Sequence, residues 1–133
     1  MKGILIVSHG NLAEGMRDTL ELFAGKLEQL DTLTLSAGQD ISDFRDKLSD
    51  KIELVDTGDG VVIFCDLAFG TPANVIAKML TDVKHKDMLQ IITGMNLPLI
   101  LEYSQFRSDN VDFNDMISVG KDGIMNWNET VNI

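Results

Sequence analysis

Continuous apolar runs alternate with amphipathic stretches along this chain. Gly3–Val7 is apolar throughout, as expected of a strand buried on both faces of a parallel sheet. From about Leu12 to Phe23, the residues Leu12, Met16, Leu20 and Phe23 recur at helical spacing, and Gly25 follows as a stop. Leu30–Leu35 (LDTLTL) reads as a second strand. Ile41, Phe44, Leu48, Ile52 and Val55 mark a second amphipathic helix, closed by the turn Thr57-Gly58-Asp59-Gly60. Val61–Cys65 is the third strand. Beyond the loop Asp66–Thr71, Pro72 occupies the first position of a helix with Thr71 as its N-cap, and Val75, Ile76, Met79, Leu80 and Val83 continue it. Met88–Thr93 is expected as a fourth strand. Gly94-Met95-Asn96 then leads into a helix capped by Asn96, with Pro98 in its first turn, and Asn110 is expected to cap a last helix ending near Val119.

Four β-α units in succession imply an α/β fold: a parallel sheet with right-handed crossovers and helices on both faces, hence three layers. The tail Ile124–Val131 has a different pattern. Met125, Trp127 and Val131 share one face, which predicts an edge strand or one donated to another copy of the chain.

Composition narrows the classes. With 133 residues and no Gly-, Ser- or Pro-rich linker, residues 1–133 are expected to form a single domain, with 122–133 as its tail strand. A hydrophobic share of 44% argues against disorder. The chain carries 11 Lys and Arg against 21 Asp and Glu, a net charge of −10, so nucleic acid and anionic membrane are poor partners. One cysteine, Cys65, forms neither an internal disulfide nor a zinc cluster and fits a reducing compartment. The run Ile4-Leu5-Ile6-Val7 is too short for a signal peptide or a membrane span. A soluble cytoplasmic protein is expected.

In open α/β sheets, ligands bind beyond the carboxyl ends of the strands, where strand order reverses. Three loops leave such ends: Ser8-His9-Gly10-Asn11, Asp66-Leu67-Ala68-Phe69-Gly70-Thr71 and Gly94-Met95-Asn96. Each contains Gly and enters a helix, whose free N–H groups suit phosphate. None matches a dinucleotide fingerprint or a P-loop. His9 can carry a phosphoryl group on one ring nitrogen if a carboxylate holds the other, and Asp66 is the acidic residue placed at the same sheet edge. On the residues alone, His9 as a helix cap and Asp66 as a turn cap account for the pattern equally well.

Gly3-Ile4-Leu5-Ile6-Val7-Ser8-His9-Gly10-Asn11-Leu12-Ala13-Glu14-Gly15, Asp66-Leu67-Ala68-Phe69-Gly70-Thr71-Pro72-Ala73-Asn74 and Gly94-Met95-Asn96-Leu97-Pro98 occur in that order. Together they resemble the three motifs of the IIA domains of the mannose/fructose/sorbose family of the phosphoenolpyruvate-dependent sugar phosphotransferase system. The resemblance implies a parallel sheet of order 2-1-3-4 with an antiparallel fifth edge strand exchanged in a homodimer. It implies that His9 is transiently phosphorylated on the nitrogen far from Asp66, with HPr as donor and a histidine of a IIB domain as acceptor. Gly10, Gly70 and Thr71 would surround the phosphoryl group. Contact with the membrane would be indirect, through the IIC and IID subunits. The second motif usually has two glycines before its hydroxyl residue. Here Phe69 takes the place of the first, which would be strained if the position requires φ > 0.

Transfer between two imidazoles is nearly symmetric and needs in-line placement and donors to the equatorial oxygens, so neither metal nor cofactor is expected. Two alternatives share parts of this pattern. One is the related phosphocarrier subunit serving dihydroxyacetone kinase. The other is a receiver-like domain phosphorylated on Asp66, disfavoured because Ser8-His9 stands where magnesium-binding acids would be. Among other residues, His85 in Lys84-His85-Lys86-Asp87 is expected in a solvated loop, and Cys65 and most of the methionines in the core. Trp127 should cover the sheet edge or a dimer contact. Arg17 suits a surface charge or a docking residue.

Overall fold

The computed structural model describes residues 1–131. Four parallel strands form one sheet: β1 (Gly3–His9), β2 (Leu30–Leu35), β3 (Val61–Cys65) and β4 (Leu89–Ile92), in the order β2-β1-β3-β4. Among the described residues six helices accompany them: α1 (Leu12–Ala24), α2 (Ile41–Val55), α3 (Thr71–Met79), α4 (Leu97–Phe106), α5 (Phe113–Asp122) and the single turn α6 (Trp127–Thr130).

The two central strands, β1 and β3, are buried on both sides, which is why their sequences are apolar without alternation. Successive side chains point to opposite faces and so feed two separate cores. Leu5, Val7, Ile63 and Cys65 pack with Phe44, Leu48 and Ile52 of α2 and Val75 and Ile76 of α3. Ile4, Ile6, Val62 and Phe64 pack instead with Ala13 and Leu20 of α1 and Ile100 and Tyr103 of α4. Each such buried aliphatic side chain contributes about 1.5–3 kcal/mol. The α/β class and three layers expected from the sequence pattern, and the strand order that the resemblance implies, are those observed.

Several local expectations are corrected. The third helix ends at Met79 rather than Val83, because Leu80, Thr81 and Asp82 bond three residues back and tighten the chain into turns. Val83 is consequently exposed. Its N-cap is Gly70, with Thr71 inside the helix. Asp112, not Asn110, caps α5, its carboxylate accepting the Asn114 amide at 2.8 Å. The tail is no fifth strand within the described residues: Asn126 begins the turn α6, and Trp127 is exposed rather than laid over the sheet edge. A strand exists only through its ladder, and Asn126, Asn128 and Glu129 favour turns and helix starts over an unpaired edge. Residues 132 and 133 of the expected tail strand lie outside the described residues.

The N-terminal ends of β1 and β2 are joined to α4 by Arg107. Its buried guanidinium donates to the carbonyls of Lys2 and Glu28 at 2.7 Å each and to that of Gln29 at 3.3 Å.

Candidate functional site

Strand order reverses between β1 and β3, since β1 is followed by β2 on one side and β3 lies on the other. His9 is the last residue of β1, and Asp66 follows the last residue of β3. The register Val7↔Cys65 brings both to the same edge. Asp66 Oδ2 accepts the His9 backbone amide at 2.9 Å and lies 2.8 Å from His9 Nδ1. Asp66 Oδ1 accepts the Leu67 amide at 2.8 Å. The Asp66 side chain is 10% exposed, that of His9 44%.

Burial alone would raise the Asp66 pKa. The hydrogen bonds from the His9 amide, the His9 ring and the Leu67 amide outweigh burial, and the carboxyl sits below its ordinary value. An ionised carboxylate only accepts, so Nδ1 donates its proton to Asp66, and in the neutral imidazole Nε2 is the nitrogen with the lone pair.

Two glycines shape the surroundings. Gly10 has φ +56°, a left-handed conformation that turns the chain sharply away from His9. Gly70 lies where a Cβ would come within 2.9 Å of His9 Cε1 and 3.5 Å of Nε2, so only glycine lets this backbone pass the imidazole edge. Phe69, just before it, has φ +50° and realises the strain expected of a bulky residue there.

The structure also reveals groups that sequence reasoning missed. Ser8 is fully buried. Its hydroxyl accepts the Ala13 amide at 2.8 Å and donates to the Gly10 carbonyl at 3.1 Å, so it ties the start of α1 to the His9 loop. A serine just before the turn, five residues ahead of a helical amide, was the available signal. The loop after β2 forms a further wall. Ser36, Gly38 and Ile41 share with His9, Gly10 and Thr71 a groove of about 530 Å³.

The third loop plays a different part. The Met95 amide donates to the Cys65 carbonyl at 3.1 Å, while Asn96 caps α4 through Leu99 and reaches the Gly120 carbonyl at 2.8 Å. These residues brace α4 against α5; Gly94 and Asn96 line a separate cleft with Gly120 and Lys121. A further cleft, about 360 Å³, opens at the opposite end of the sheet beside Lys2, Asp59, Tyr103 and Arg107.

The remaining titratable residues stand apart. Burial, with a smaller push from the Asp66 charge, raises the Cys65 thiol to about 12, so it is inert core. His85 is a correction: it is buried, not solvated. Turns from Asp82 to Met88 fold it inward between the exposed Lys84 and Lys86, whose polarity hid it in the sequence. Among the described residues its ring nitrogens have no hydrogen-bond partner, and Nδ1 lies 3.6 Å from the Asp82 carboxylate. Arg17 pairs with Asp31 at 3.6 Å.

A family model described as the PTS system fructose IIA component matches residues 3–119. The chain belongs to the EIIA-man family. The PTS system mannose-specific EIIAB component of Escherichia coli (strain K12) is 26% identical over 125 residues, covering 91% of this chain. The chain spans only 38% of that relative's length. Among solved structures, the PTS IIA protein associated with the fucose utilization operon of Streptococcus pneumoniae is similar with a TM-score of 0.90 and 27% identity, covering 98% of this chain and 96% of that one. The phosphotransferase system component EIIA of Streptococcus agalactiae aligns with a TM-score of 0.84 and 26% identity, covering 97% and 99%. The His9–Asp66 pair of this EIIA-man chain falls inside the matched segment, as do Gly10, Gly70 and Thr71. None of its helices, among the described residues, is long and apolar enough to cross a membrane.

Proposed function

We propose that this EIIA-man chain is a phosphohistidine carrier of a sugar-uptake phosphotransferase system. The observation that supports it most directly is the double hold of Asp66 Oδ2 on the His9 amide and Nδ1, which occupies one ring nitrogen and leaves Nε2 as the one available to phosphorus. In this reading HPr presents a phosphohistidine. Its N–P bond breaks as Nε2 of His9 forms a new one, and the phosphoryl group later leaves for a histidine of a IIB domain. Nδ1 keeps its proton on Asp66 throughout, so no net proton movement accompanies the transfer.

The chemistry asks for placement rather than strong base catalysis, because donor and acceptor are both imidazoles. Amides at the turn around Gly10 and at the start of α3, from Gly70 and Thr71, are the groups we assign to the phosphoryl oxygens. A helix N-terminus adds positive potential there. We read the transfer as independent of metal and cofactor for the same reason. The reading extends to a cytoplasmic location, to residues 1–133 as one IIA domain, and to a homodimer. Ile124, Met125 and Trp127 are exposed in the single chain and would be covered by a second copy. Light scattering over micromolar concentrations should give a dimer mass; a monomer would remove that part.

The carrier role is tested by incubation with phosphoenolpyruvate, enzyme I and HPr. Label on the wild type and none on His9→Gln is expected. An unlabelled wild type, or undiminished label on the variant, overturns the reading.

A further inference from the structure

Ser8 stands directly before His9, yet it is fully buried and spends its hydroxyl on the turn that follows. It accepts the Ala13 amide at 2.8 Å, the bond an N-cap side chain would make; Asn11, in the N-cap position itself, makes none. The same hydroxyl donates to the Gly10 carbonyl at 3.1 Å. Capping requires only the first of these bonds. The second holds one particular peptide plane, the one that links Gly10 to Asn11.

In a trans peptide the C=O and N–H point in opposite directions. Drawing the Gly10 oxygen in toward buried Ser8 therefore turns the Asn11 N–H out of the interior. It also keeps away from the rim a carbonyl dipole that would repel phosphoryl oxygens. Gly10 permits this plane because it sits at φ +56°. Two amides follow His9 on the turn. That of Gly10 is spent on the Leu35 carbonyl at 3.0 Å, whereas that of Asn11 has no partner among the described residues.

We propose that Ser8 is a positioning residue for phosphoryl transfer: through the Gly10 carbonyl it aims the Asn11 amide at an oxygen of the phosphoryl group on His9. The inference rests on His9 being the phosphoryl acceptor, and it deepens that reading by naming which amide of the Gly10 turn donates and which side chain directs it. Ser8 itself touches neither the phosphoryl group nor a partner protein, being sealed beneath the turn. A donor fixed in direction beforehand needs no reorganisation as charge spreads over the phosphoryl oxygens.

The test pairs amide NMR of the full chain with transfer kinetics from phosphorylated HPr, on wild type, Ser8→Ala and Ser8→Thr. Labelling His9 of the wild type should move the Asn11 amide proton downfield, as a new bond to a charged acceptor does. In Ser8→Ala that movement should vanish while the His9 Nδ1 proton stays on Asp66. Its kcat should fall about 10–100-fold with KM for HPr little changed, since no surface residue is altered. Ser8→Thr keeps the hydroxyl and should restore both the Asn11 movement and most of the wild-type kcat. An Asn11 amide unmoved by phosphorylation of the wild type overturns the proposal whether or not either variant folds. So does a folded Ser8→Ala with wild-type kcat, one whose loss of kcat only matches its loss of folded protein, or a folded Ser8→Thr no faster than Ser8→Ala. A wild type that takes no label removes the carrier reading itself; a labelled wild type with a stationary Asn11 amide removes this inference alone.

Discussion

Asp66 Oδ2 receives two N–H groups from the same residue, the His9 amide at 2.9 Å and the His9 ring at 2.8 Å. One contact anchors the end of β1, and the other sets the rotation and tautomer of the imidazole that ends it. The Leu67 amide holds the second carboxylate oxygen, so the orienting group is itself oriented. Asp66→Asn keeps the size but offers a neutral amide that supports this tautomer poorly. The variant should fold and accept phosphoryl groups about 10–100-fold more slowly. Rates measured with phosphorylated HPr check this, and wild-type turnover would show that Asp66 does not orient the ring.

Gly70→Ala should leave the fold intact, since φ at this position suits any residue. The new methyl would nevertheless stand 2.9 Å from His9 Cε1 and push the imidazole aside. A displacement of this order costs on the order of 100-fold in a reaction that depends on alignment. An unchanged melting temperature with a large loss of transfer is expected; equal loss of both would mark Gly70 as structural only.

Acid should expose the energetic role of Asp66. Its folded pKa lies below the ordinary 3.8, so its ionised contacts stabilise the native state fully above that value. The contribution is lost as pH falls through the lower folded value. The stability gap between wild type and Asp66→Asn, followed by thermal melts from neutral pH downward, should therefore hold steady and then narrow below about pH 4. A gap independent of pH would mean that the charge of Asp66 contributes nothing to folding.

Arg107→Met tests the opposite end of the sheet. Methionine retains apolar bulk but leaves the Lys2, Glu28 and Gln29 carbonyls without their donor. Losing hydrogen bonds to a charged group predicts a destabilisation of about 2–4 kcal/mol by urea titration, with transfer activity of the folded fraction unchanged.

The elements most legible in the sequence were those whose patterns answer directly to burial. Val61–Cys65 has no polar position because both faces of β3 are covered, and Phe44, Leu48 and Ile52 share a helical stripe because one face of α2 is. His9 and Asp66 could be paired because both end central strands. Leu12 and Ile41 fit the helical stripes yet are exposed, since each opens a helix at the rim of the site rather than over the core. Arg107 and Ser8 escaped because their partners are backbone atoms, which leave no trace in residue type. His85 escaped because charged neighbours surround a residue that a short run of turns folds inward. The tail has a strand-like alternation, but among the described residues no strand pairs with it, and Trp127–Thr130 closes into a helical turn instead.

The central claim is that Nε2 of His9 accepts phosphorus while Asp66 holds Nδ1, and phosphorus NMR of the freshly labelled protein, read before and after acid and base treatment, tests it most directly. One acid-labile, base-stable phosphohistidine with phosphorus on Nε2, lost in His9→Gln, is expected. Phosphorus on Nδ1, or a base-labile acyl phosphate on Asp66, would contradict it.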